Sequence, residues 1–178
     1  MKKAVPAAGL ALAAAAALAF AATAHGQDAS PVADPSITAY SHAEDMVTAR
    51  ILQMVEIEAL QLRMEAYAAG AEDDPDLMRS LAYSVSSLML AVPHLFPSTT
   101  NFMELPHSED VSTVALPAIW QDFETFYALA IGVSDVALET AQAEDEATLK
   151  AGIAAIRQGC DACHASFMQA YAPPIPPL

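Results

Sequence analysis

The chain is short of cysteine and of basic residues, and each scarcity narrows what it can be. Only two cysteines occur in 178 residues, so no multi-bridge disulfide framework can hold the fold. Seven Lys and Arg stand against 22 Asp and Glu, a formal net charge of −15. Nucleic-acid binding rests on basic side chains neutralising phosphates, so nucleic acid is excluded as a partner. An anionic membrane surface would repel the chain for the same reason. No stretch keeps up the apolar–polar alternation of a half-buried strand, and no internal repeat recurs.

Two of the seven basic residues, Lys2 and Lys3, precede the one long apolar run, Ala7 to Ala22. That run is mostly Ala and is short for a membrane span, which needs about 20 apolar residues. Ala24-His25-Gly26 follows with small residues at cleavage spacing. Residues 1–26 are therefore expected to be a signal peptide, cut after Gly26 or Ala24, on a protein exported to the periplasm. Losing the two lysines would take the net charge from −15 to −17. A protein partner is expected to offer a basic patch to this acidic surface. Residues 27–40, with Pro31 and Pro35, read as a leader, 41–172 as a single domain, and 173–178 as a Pro-rich tail.

What is present is concentrated near the C-terminus. Both cysteines lie in Cys160-Asp161-Ala162-Cys163-His164. C-x-x-C-H is the covalent attachment signature of a c-type haem, one thioether per cysteine with the histidine beside them. A redox dithiol would sit early, in a β-α-β setting, and a zinc site would need a second ligand pair. Neither context is found. Spaced at i, i+3 and i+4, the three side chains share one side of a helix.

The rest reads as helix. Ser41-x-x-Glu44 has capping-box spacing, and behind it Val47, Ile51, Met54, Ile57, Leu60, Met64 and Tyr67 form one stripe, ended by Gly70. Asp74 and Pro75 open a second helix that Pro93 stops. Residues 92–116 form a long irregular connection that covers a face or lies over the cofactor edge. A third helix is predicted from Pro117 to Ala141, with Ile119, Trp120, Phe123, Phe126, Tyr127, Ala130, Val133, Val136 and Ala137 inward. Asp145 caps a fourth that runs to about Tyr171. The expected architecture is all-α, an antiparallel four-helix bundle. Measured from one end of such a bundle, His164 and Met54 lie roughly 10 and 18 Å along the axis.

This arrangement resembles the class II c-type cytochromes, the cytochrome c-prime family and its low-spin c-556 relatives. The resemblance rests on Arg50, on Pro117-Ala118-Ile119-Trp120 and on the C-terminal C-x-x-C-H. It spans roughly residues 40–171. It implies one haem c held by Cys160 and Cys163, His164 as proximal ligand, and Met54, four residues beyond Arg50, as sixth ligand. Met54 also suits plain core filling. Met46 is the next choice, and His42, His94 and His107 read as surface or loop residues. Arg50 is expected to pair with a haem propionate or else to make a surface ion pair. Trp120, Phe123 and Phe126 are expected to wall the haem. No basic residue follows the motif at Phe167-Met168-Gln169, unlike many high-spin members.

The function expected on these grounds is non-enzymatic: electron transfer through a His/Met-ligated haem, with a redox partner protein, as a monomer or homodimer. The alternative is a five-coordinate iron that binds nitric oxide or carbon monoxide.

Overall fold

The structure, a computed structural model, describes residues 39–170. The expected signal peptide, most of the leader and the Pro-rich tail lie outside the described residues. Among the described residues there are five α-helical segments: α1 (Ala39–Ala68), α2 (Pro75–Ala91), α3 (Ala118–Gln121), α4 (Phe123–Ala141) and α5 (Glu146–Phe167). The four long ones form the expected bundle. α1 packs on α2 and α5, and α4 packs on the same two. Among the described residues there is no strand, only one isolated bridge between Ala115 and Met168.

Side-chain pairs set the directions. Along α1 and α5, Tyr67 meets Lys150, Gln61 meets Ile153, and Glu58 meets Arg157. Position falls on one helix as it rises on the other, so the two are antiparallel. Ser86 with Ser134, and Arg79 with Ala143, give the same result for α2 and α4.

The helix ends follow local chemistry. Asp74 accepts from the Leu77 amide ahead of Pro75, and Asp145 accepts from the Thr148 amide, as read from the sequence. Gly70 ends α1 at φ +82°. Its amide donates to the Tyr67 carbonyl while the Ala71 amide reaches the Ala66 carbonyl, a double closure that needs the left-handed region glycine enters freely.

Three boundaries differ from expectation. α1 opens at Ala39, inside the expected leader, so Ser41 lies within the helix and not at its cap. α5 ends at Phe167, and Met168 is extended because its neighbours join the bridge to residues 114–116. The predicted third helix is broken at Asp122 (φ −135°, ψ 61°), whose carboxylate accepts from the Thr125 amide and caps α4 anew. That break resets the helical phase. Phe123 and Tyr127, expected inward, are 39% and 44% exposed, whereas Phe126, Ala130, Val133 and Ala137 are buried. Ile51, expected on the buried stripe of α1, is 43% exposed.

The bundle has a solid end and a hollow end. Met64, Met78, Leu149, Ile153 and Ile156 are fully buried towards the two short connections, each contributing about 1.5–3 kcal/mol relative to exposure. Towards the long connection the helices separate around a cavity.

Candidate cofactor site

The cavity measures about 860 Å³ and is lined from every long helix and from the connection, a volume at the upper end for small-molecule sites. Cys160, Cys163 and His164 stand on its α5 wall. The α5 backbone is brought close to α4 at Gly159, where a Cβ would lie 2.6 Å from Val133 Cγ2. Only glycine allows that approach one residue before the first cysteine.

Burial pushes Cys160 up and Cys163 to about 11, whereas a reactive dithiol needs a stabilised thiolate. Among the described residues no cluster of three or more His, Cys, Asp or Glu is placed to hold a metal ion.

The α1 wall carries Arg50, Met54 and Ile57. From the pairing of Glu58 with Arg157, seven residues forward on α5 reach His164 and seven back on α1 reach Ile51. Met54 is therefore within a turn of His164 along the bundle, about 4.5 Å of axial offset at 1.5 Å per residue. Met89 of α2 and Met168 also line the cavity. Met46 does not. His42, His94 and His107 are exposed and line nothing there; His107 stacks on Phe102 at 4.6 Å.

Arg50 is 3% exposed and pairs with no carboxylate among the described residues, so it is not a surface ion pair. Its Nη1 donates to Thr100 Oγ1 at 3.0 Å, and its Nη2 donates to Thr113 Oγ1 at 2.8 Å. The guanidinium lies 4.4 Å over the Phe96 ring. Burial lowers it to about 10, so it stays charged at neutral pH. A buried cation with only neutral partners has no counter-charge to offset its desolvation cost. At a cavity edge, that arrangement suits an incoming anion.

The aromatic wall differs from expectation. Phe96, Phe126 and Phe167 line the cavity, with ring centroids 4.8 Å and 5.5 Å apart in edge-on pairs. Trp120 is not a lining residue. Its indole N–H donates to the Phe96 and Pro97 carbonyls at 3.0 and 3.1 Å, which fixes the ring that supports Arg50. Phe123, turned out by the break at Asp122, is not a lining residue either. The long connection does lie over the cavity edge. Val114 and Ala115 line it, clasped to the end of α5 by the Leu116 amide to Phe167 carbonyl bond and the Gln169 amide to Val114 carbonyl bond.

Sequence reasoning missed Phe96, Met89, Val92, Thr100 and Thr113. Phe167 had a visible signal, three residues beyond His164 and seven beyond Cys160, so it lies on the same helical face. The connection residues had none, because no periodicity runs through them.

The Cytochrome C' family profile matches residues 45–168, most of the chain. The chain belongs to the cytochrome c′ family. Cytochrome c′ of Rhodospirillum rubrum is 33% identical over 110 residues, covering 58% of this chain and 70% of that protein. The crystal structure of cytochrome c′ from Thermochromatium tepidum aligns at TM-score 0.64 with 20% identity, over 72% of this chain and 97% of that one. The nitric oxide complex of a variant cytochrome c prime from Alcaligenes xylosoxidans aligns at TM-score 0.61 with 20% identity, over 72% and 97%. The protein is a c-type cytochrome, and its cofactor is a covalently bound haem c. The site suits that group: two thiols and an imidazole on one helix face, an apolar cavity before them, and a buried guanidinium at the edge.

Proposed function

We propose that this cytochrome c′ is a periplasmic protein whose haem iron takes His164 on one face and leaves the other open to nitric oxide or carbon monoxide. When bound, the haem supplies an iron that takes a diatomic ligand or exchanges one electron. Cys160 and Cys163 would tether it, and Arg50 would pair with a propionate, supplying the negative charge its burial calls for.

The observation that carries the reading is the lining. Among the described residues His164 is the single imidazole in the cavity, and the residues from α1, α2 and α4 are largely apolar: Met54, Ile57, Met89, Phe126, Ala130 and Val133. Such a wall admits a small neutral gas and discourages water and anions, whose burial without partners is costly. The named relatives support it, one of them in a nitric oxide complex. Among the described residues no helix is long and apolar enough to cross a membrane.

A second reading keeps Met54 as sixth ligand, which would make the protein a low-spin electron carrier of the c-556 kind, docking a partner with a basic patch. The register of α1 against α5 favours it. Absorption and electron paramagnetic resonance spectra of the ferric holoprotein decide between the two. A high-spin spectrum, unchanged in Met54→Leu, with ready nitric oxide binding, is expected. A low-spin spectrum whose long-wavelength sulfur band disappears in Met54→Leu establishes the carrier instead.

A further inference from the structure

Between the cavity and the solid end, α1 and α5 are joined by one polar network. Arg157 lines the cavity three residues before Cys160. Its two terminal nitrogens donate to the Glu58 carboxylate at 2.9 and 3.0 Å, and its Nε donates to Glu65 Oε1 at 2.6 Å. Gln61 extends the network, its Nε2 donating to the same Glu65 oxygen at 3.0 Å and to the Ile153 carbonyl at 3.1 Å. Glu58 lies one helical turn beyond Met54 on α1.

The other ties of this stretch of α1 go elsewhere. Arg50 binds the connection through Thr100 and Thr113, and Gln53 donates to the Leu88 carbonyl of α2 at 2.7 Å. From Arg50 to Ile57, no hydrogen bond among the described residues joins α1 to α5. The gap between Met54 and the α5 wall is thus governed by the clasp one turn away. A bidentate guanidinium–carboxylate pair suits that task, since its planar fork fixes both distance and angle. Without the guanidinium, Glu58 and Glu65 would face α5 with no counter-charge, and the Gln61 to Ile153 bond would be left to tie the two helices there.

We infer that Arg157 is a positioning residue, clamping α1 to α5 through Glu58 and Glu65 and thereby setting how closely the Met54 side of α1 covers the open face of the iron. This rests on the reading above, in which His164 binds the iron from α5.

The test uses the holoprotein and reads the nitric oxide association rate and the ferric spectrum beside thermal stability. Arg157→Gln is expected to change the association rate by at least about three-fold. Arg157→Lys, which keeps the charge without the fork, is expected to fall between. Glu58→Gln removes one arm only and serves if Arg157→Gln does not fold. Arg63→Gln, which breaks the exposed pair between this α1 residue and Glu72 in the connection to α2, is the control and leaves the rate unchanged. Lowered stability in Arg157→Gln and Glu58→Gln with wild-type rate and spectrum overturns the clamp. If the wild type is six-coordinate, the open-face reading fails separately. The clamp then stands if Arg157→Gln yields a high-spin fraction and falls if it does not.

Discussion

Gly159→Ala offers a test in which structure and local propensity disagree in sign. Gly159 lies inside α5, where replacing glycine by alanine ordinarily stabilises a helix by about 0.8–1.0 kcal/mol. Here the added Cβ would lie 2.6 Å from Val133 Cγ2 and 3.8 Å from Val133 Cβ. Val133 is 3% exposed, and a β-branched side chain inside a helix has one strongly preferred rotamer, so it cannot swing aside cheaply. Overpacking of this kind costs about 1–3 kcal/mol. The net expectation is a loss of about 0–2 kcal/mol, the difference between those two ranges. The decisive quantity is the coupling with Val133→Ala, which removes the clashing methyl. In that background Gly159→Ala should stabilise, and the two backgrounds should differ by about 1–3 kcal/mol. Urea unfolding of the four holoproteins measures the cycle. The ferric spectrum should shift in Gly159→Ala alone, since Val133 and Cys160 both border the cavity. Equal stabilisation in both backgrounds would refute the close approach of α4 to α5.

Arg50→Met separates the two fates of the buried guanidinium. If it pairs with a propionate, its loss strands a buried anion and costs the holoprotein about 3–5 kcal/mol in urea unfolding; a cost below about 1 kcal/mol refutes the pairing and leaves Arg50 serving only Thr100 and Thr113. The Glu65 carboxyl is held below the usual carboxylate range, first by the Arg157 hydrogen bond and also by Gln61, against opposing desolvation. Its contribution is therefore full above the unfolded value of about 4.3 and is lost as pH falls through the lower folded value. The thermal midpoint of the wild type should fall towards that of Glu65→Gln below about pH 4, and parallel curves from neutral pH down to pH 3 would refute the linkage.

Much of the site was legible because its chemistry is local. Cys160, Cys163 and His164 share a helix face by spacing alone, and Asp74, Pro75 and Asp145 mark helix starts through bonds to their own next turn. The failures are of the opposite kind. The reading of Phe123 and Tyr127 as inward extended one period across Asp122, although Asp122 with Thr125 three residues on was itself a capping signal. Trp120 packs against the core but does not line the cavity, because the Phe96 and Pro97 carbonyls that hold its indole come from more than twenty residues away. The lining residues of the connection, Phe96 and Val114 among them, have no period to betray them.

By itself the sequence determined that the chain is helical, the helix starts at Pro75 and Glu146, the covalent cofactor motif and the strongly acidic net charge, since these depend on neighbours within a turn or on composition. The tertiary structure decided where the bundle is hollow, which aromatic rings line that hollow, and that Arg50 is buried among neutral partners while Arg157 links α1 to α5. Those properties belong to pairs 50 to 100 positions apart in the chain, and only packing makes them neighbours.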